Sequence, residues 1–185
     1  MPIRGLVTMA ALGASLWAGE PVSAVQRNLG VCMDGDITVT TYARHLVSRM
    51  FAPIDVRIDW RDRRNCPANA IRITVNAFTT PSLLPRALAY ALPYEGTHIV
   101  VFYDRVQEAV ESRRVPILTA HVIAHEIGHI LEGVNRHSGT GIMKARWAND
   151  DYSQMAWRPL PFASEDVILI HHGLEARSAS LALAR

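Results

Sequence analysis

Apolar positions first alternate and then fall at helical spacing, so the chain reads as short strands followed by helices. "DITVTTY" (36–42) is rich in β-branched residues and predicts a strand. "ARHLVSRMF" (43–51) has apolar residues at helical spacing and predicts a helix laid on a sheet, stopped by Pro53. "IDVRIDW" (54–60) alternates strictly and predicts another strand, as does "AIRITVNAF" (70–78). Pro81 and Pro85 punctuate the connection to "ALAYALPY" (87–94), a short strand, and "THIVVFY" (97–103) predicts a buried one.

Helical signals follow. Asp104 with Gln107 three residues on predicts an N-terminus, for a helix running to about Arg113. Pro116 suits the first turn of the next helix and Gly133 its end. Between them Ile117, Leu118, Val122, Ile123, Ile127, Ile130 and Leu131 cover most of the circumference, which predicts burial. After Met143 no period is visible until Ser164, read as the N-cap of a last helix ending near Gly173. This order predicts the α/β class, one domain with a mixed twisted sheet and a C-terminal helix.

Composition narrows the picture. The chain has 185 residues, 49% apolar and 19% charged, enough for one domain with a real core. A net charge of +2 and the isolated "RDRR" (61–64) give no stripe for nucleic acid. Residues 1–24 have the order of a secretion signal: Arg4, an apolar run over 6–17, and Val22-Ser23-Ala24 as a cleavage point. The expected mature domain is therefore 25–185, exported to a secreted or periplasmic location with no stable membrane insertion after signal removal. In an oxidising compartment Cys32 and Cys66 are a candidate disulfide. Two buried free thiols, or Cys32 as a thiolate switch in a short propeptide, are the other readings.

The chemistry is concentrated in "HVIAHEIGHILEGVNRHSGTGIM" (121–143). His125 and His129 are four residues apart, on one face of the predicted helix, and can share a metal ion. Glu126 beside the first is placed to act as general base on a metal-activated water. Burying these polar groups on an apolar helix without a ligand would be costly. A catalytic zinc needs a third protein ligand and an open position. His137 is the first candidate, because Gly133 can turn the chain back toward the helix. Glu165, on the last helix, is its competitor, and Glu132 lies a turn too far along. His121, one turn before His125, reads as a hydrogen-bonded core histidine or as an outer partner of the ligands. His171 and His172 read as partners for the end of the last helix.

These residues resemble the zinc site of the metzincin metallopeptidases, whose pattern is His-Glu-x-x-His-x-x-Gly-x-x-His followed by a methionine turn. The resemblance puts the zinc ligands on His125, His129 and His137, the general base on Glu126 and the turn methionine on Met143. Gly133 falls one position later than the family's glycine and His137 two positions later. The stretch through "GIMKARW" resembles secreted bacterial proteins described as metallopeptidases. Met143 read alone, without His137 upstream, is a core filler. In the metzincin fold a sheet edge strand pairs with extended substrate, and 87–94 takes that place by chain order.

The expectation is an exported, metzincin-like metalloendopeptidase with one Zn2+ per chain, acting on peptide or protein substrates. The alternative is a noncatalytic exported module with a closed structural zinc, the fourth ligand being His121 or Glu165. Hydrolysis of a small amide is a further reading that cleft length would separate.

Overall fold

The computed structural model describes residues 26–34, 37–80 and 86–183. The signal read over 1–24 lies outside the described residues.

Among the described residues five strands form one sheet: β1 Arg27–Asp34, β2 Val56–Arg61, β3 Ile71–Asn76, β4 Ala89–Ala91 and β5 His98–Phe102. Their order is β2-β1-β3-β5-β4. The first four in that order are parallel, and β4 closes one edge antiparallel to β5. Among the described residues five α-helices accompany them: α1 Ile37–Phe51, α2 Tyr103–Ala109, α3 Val115–Glu132, α4 Asn149–Met155 and α5 Ser164–Leu183. The result is a single mixed α/β domain, as the order of periodic segments implies.

The strand expected over 36–42 is absent: helix α1 begins at Ile37 and runs through it. Thr40, Ala43, Val47 and Met50 are buried, a helical stripe that extends back into the β-branched run. Packing of that stripe against α3 and β2 overrides a strand propensity that was only local. The first strand is instead "RNLGVCMD", which alternates poorly. It lies inside the sheet between β2 and β3, with Leu29, Val31, Cys32 and Met33 buried, and strands in parallel interiors lose their alternation.

Three further differences concern helices. The segment begun near Asp104 stops at Ala109, not Arg113. Helix α4 occupies part of the stretch read as irregular; Ala148 N–H bonds the Asp151 carboxylate (2.7 Å) and so caps it. Helix α5 passes through Gly173 and ends at Leu183. A side chain at Gly173 would overlap the Leu131 carbonyl, so this glycine permits close approach of α5 to α3 and does not terminate the helix.

Helix α3 is the centre of the molecule, in contact with α1, α2, α5, β4 and β5. Ile123 and Ile127 are fully buried on it, each worth about 1.5–3 kcal/mol by transfer. Phe51 and Phe162 pack with tilted rings, centroids 4.8 Å apart, joining the end of α1 to the segment that enters α5. Cys32 and Cys66 are disulfide-bonded, tying β1 to the polar loop after β2. In the chain-entropy model, closing that loop contributes on the order of 3–4 kcal/mol.

Candidate metal centre

The site is built on α3 and on the loop that leaves it. Pro116 lies in the first turn of α3, and Gly133 ends it with a left-handed φ of 67° while donating its N–H to the His129 carbonyl (3.0 Å). A residue with a Cβ would be strained there. The chain then reverses, and His137 returns to the helix. Ring centroids are 4.6 Å apart for His125–His129, 5.0 Å for His129–His137 and 5.4 Å for His125–His137. One nitrogen from each of these three lies within 4.8 Å of the other two.

Their hydrogen bonds set the tautomers. His125 Nδ1 donates to the Ile142 carbonyl (2.8 Å), which leaves Nε2 as a bare acceptor. That Nε2 faces His129 Nε2 at 3.0 Å. The Val134 backbone favours the charged form of His129, but its buried Nδ1 makes no hydrogen bond of good geometry. If His129 Nε2 carried the proton toward His125, Nδ1 would be a buried acceptor without a donor. If Nδ1 carries it, two bare nitrogens converge. Two nitrogens on a tetrahedral zinc at ~2.0–2.1 Å lie ~3.3–3.4 Å apart, so the observed spacing suits a shared ion.

Titration agrees with that use. Burial, then the neighbouring histidines, holds His129 down at about 4. Burial lowers His125 and His137 also, with the Arg136 charge adding to the effect on His137. Neutral imidazoles are the form that binds metal. The three residues therefore fit a zinc ion in donor type, protonation and convergence.

Glu126 is 9% exposed, and burial raises its carboxyl to about 8, against a hydrogen bond from the Ala91 backbone that lowers it. It holds its proton at neutral pH unless positive charge is brought beside it. It opens, with His125, His129, His137, Tyr90 and Trp147, onto a cleft of about 670 Å3 bounded by β4.

The loop half of the site is held by groups the sequence reading did not single out. Arg136 Nη1 donates to Asp166 Oδ1 (2.8 Å) and to Glu132 Oε2 (3.3 Å), and Nη2 donates to Ser138 Oγ (3.1 Å). Ser138 Oγ also donates to Asp166 Oδ1, and Ala163 N–H to Asp166 Oδ2 (3.0 Å). Asp166 is fully buried. It therefore clamps residues on both sides of His137 from the first turn of α5. Read with Ser164 as N-cap, the sequence puts Asp166 at N2; the helix in fact begins at Ser164, so Asp166 is at N3 and bonds the Ala163 N–H, a role that accounts for one oxygen of two. Glu132 is raised to about 7 by burial and then by the Asp166 charge.

Met143 is fully buried against α3, and a Cβ at Gly128 would overlap its sulfur. Its carbonyl accepts from Ser138 N–H (2.8 Å), which closes the loop between ligand and turn. Gly128 is thus the residue that lets the turn pass beneath the two ligands.

The remaining candidates lie elsewhere. His121 is fully buried, donating from Nδ1 to the Ile117 carbonyl (2.8 Å) and accepting at Nε2 from Leu160 N–H (3.2 Å). Both nitrogens are spent on backbone, so it supports the core. The Glu165 carboxylate sits 3.7 Å from Arg136 on the exposed side of α5, outside the histidine cluster. His171 donates from Nε2 to the Ile54 carbonyl (2.7 Å), joining α5 to the turn before β2. Since α5 continues to Leu183, neither His171 nor His172 marks its end.

No protein-family model matches the sequence, and no curated protein sequence matches it. Among solved structures the chain is similar to archaemetzincin from Methanopyrus kandleri, with a TM-score of 0.55 at 13% identity, over 83% of this chain and 98% of that one. The fold is archaemetzincin-like. At that identity the likeness speaks for the fold, and the chemistry rests on the residues above.

Proposed function

We propose that this chain is an exported zinc-dependent peptidase with Glu126 as its general base. The observation that carries the reading is the convergence of His125, His129 and His137 beside a buried glutamate, at the floor of a cleft bordered by an edge strand. The archaemetzincin-like fold and the metzincin-like motif support it from two further directions.

Zinc held by the three histidines would polarise the scissile carbonyl and make water a stronger acid. The residues of the chain supply the rest. The pairing of β4 with β5 uses Leu88 O and Leu92 N–H, so alternation turns Ala89 and Ala91 toward the open edge. The Ala91 backbone bonds Glu126, which ties the base to that edge. An extended peptide adding there meets the backbone of Ala89 and lies along the cleft. Glu126 accepts the proton of the attacking water and passes it to the amide nitrogen as the C–N bond breaks. The products are a carboxylate and an amine.

A closed structural site needs a fourth protein ligand. Both nitrogens of His121 are engaged, and Glu165 is turned to Arg136. Three ligands with a cleft before them favour the catalytic reading.

The test is Glu126→Gln, which keeps shape but cannot accept a proton. It should retain about one zinc per chain while cleavage falls by about 10²–10⁴. Near wild-type cleavage by the zinc-loaded variant would remove Glu126 from the mechanism. A zinc-loaded wild type that cleaves no peptide in a broad library would restore the structural-zinc reading. For export, N-terminal sequencing of secreted material should find a start near Val25; retention of Met1 would count against it.

A further inference from the structure

We infer that the cleft selects peptides carrying a carboxylate, captured by the guanidinium groups of Arg86 and Arg146. This rests on the peptidase reading above and names its substrate class.

The cleft is lined by three long cations, Arg86, Lys144 and Arg146, and by one acid, Glu126, which the reaction uses. The chain as a whole is nearly balanced, at +2, so this excess is local. Lys144 is already paired with Asp151. Arg86 and Arg146 are exposed and make no ion pair or hydrogen bond among the described residues. Arg136, close to His137, is offset by Asp166, Glu132 and Glu165. Two uncompensated arginines are therefore left lining the space a substrate would occupy.

Their backbones are held in place. The carbonyl of Ala87, next to Arg86, accepts from Arg105 Nη1 (2.9 Å), and the Leu88 carbonyl accepts from Phe102 N–H (2.8 Å). Arg86 itself has a left-handed φ of 69°, a conformation that non-glycine residues rarely take and that concentrates at binding sites. Arg146 precedes Trp147, whose ring lies edge-on to His125 at 5.7 Å and whose Nε1 donates to the Gly141 carbonyl (3.4 Å). One arginine thus stands at the head of the edge strand and the other beside the metal ligands. A guanidinium offers a planar fork that matches a carboxylate in two hydrogen bonds. The source of the carboxylate is an Asp or Glu side chain or a free C-terminus.

Binding tests this separately from cleavage. The zinc-loaded Glu126→Gln chain is titrated with end-blocked fluorescent peptides in which Gln is replaced by Glu at one position at a time. A neutral peptide with a free C-terminal carboxylate is the other arm. Glu peptides should bind about 1.4- to fivefold tighter per arginine engaged at low salt, the range for exposed ion pairs. The advantage should fade toward unity at 0.5 M salt. It should also fall in Arg86→Gln and Arg146→Gln, and reverse in favour of Lys peptides in Arg86→Glu/Arg146→Glu. A gain confined to the free C-terminus supports the inference with the terminal carboxylate as the ligand. Equal affinity for the two series, affinity for neither, or an undiminished preference in the charge-reversed variant overturns it. If the wild type cleaves none of these peptides yet the preference holds, the peptidase reading fails and carboxylate selection stands.

Discussion

The two halves of the histidine cluster are held by different physics. His125 and His129 are set by one rigid element. Four residues on a buried helix fix their separation, and the apolar stripe around them fixes the helix. His137 lies on an exposed turn with no regular structure, and its place depends on Gly133, on Arg136 and Ser138 gripped by Asp166, and on the Ser138–Met143 bond. A site needs all its ligands held equally well, yet here one half is positioned by backbone periodicity and the other by side chains from far along the chain. The loop half is where small changes should have the larger consequences for metal binding relative to their effect on the fold.

The sharpest break in that comparison is removal of the loop ligand. His137→Ala should weaken zinc binding by more than the ~10–100-fold that loss of an outer partner costs, with melting of the metal-free chain little changed. Glu165→Ala should leave zinc affinity alone and shift stability by no more than about 0.5 kcal/mol, since its ion pair is exposed and long. Competition against a chelator measures both. If Glu165→Ala lost the metal and His137→Ala kept it, the third ligand would lie on α5.

Asp166→Asn addresses the clamp. It keeps the size of the side chain but leaves the Arg136 contact without its charge. We expect ~10–100-fold weaker zinc binding. Stability should fall by about 1–3 kcal/mol, the range for disturbing the hydrogen bonds of a buried polar group, since Arg136 is partly exposed and keeps Glu132. A cobalt-loaded variant should show an altered ligand-field spectrum, which plain destabilisation would not produce. An unchanged affinity and spectrum in a destabilised Asp166→Asn would make the clamp purely structural.

The helix half is probed by pH through His121, which is not a ligand. Burial holds its pKa at about 4, against 6.5 as the ordinary value. The unfolded chain therefore binds a proton at higher pH than the folded one does. The stability this group provides is complete above about 6.5 and is lost as pH falls toward 4, up to about 3 kcal/mol. Melting of the metal-free protein should drop across that window, and His121→Gln should flatten the drop. An identical pH slope in the variant would assign the effect to other groups.

How much of this was legible in the sequence follows the same divide. The helix α3, its Pro116 start, its Gly133 stop and the pair His125–His129 with Glu126 between them are local features, and spacing alone reveals them. His137 follows from ligand counting and the turn at Gly133, with Glu165 as a competitor, and the role of Met143 needs a family pattern, because no periodicity runs through a loop. Arg136 and Asp166 were not seen at all, since a contact across thirty residues leaves no trace in either neighbourhood. The same reason misplaced the first strand. In "DITVTTY" the β-branched residues satisfy both strand propensity and a helical stripe, and only the surface of α3 decides between them.

The sequence by itself determined which segments are periodic, which of them must be buried, and which chemistry the central helix can support. Those properties depend on residues a few positions apart and on the cost of burying polar groups. The tertiary structure alone decided that β4 stands at the sheet edge against Glu126, that Gly173 lets α5 settle on α3, and that Asp166 grips the loop carrying His137. Each of these is a choice among long-range packings that local sequence permits equally, and it is made by which arrangement buries the apolar faces while leaving few polar groups unpaired.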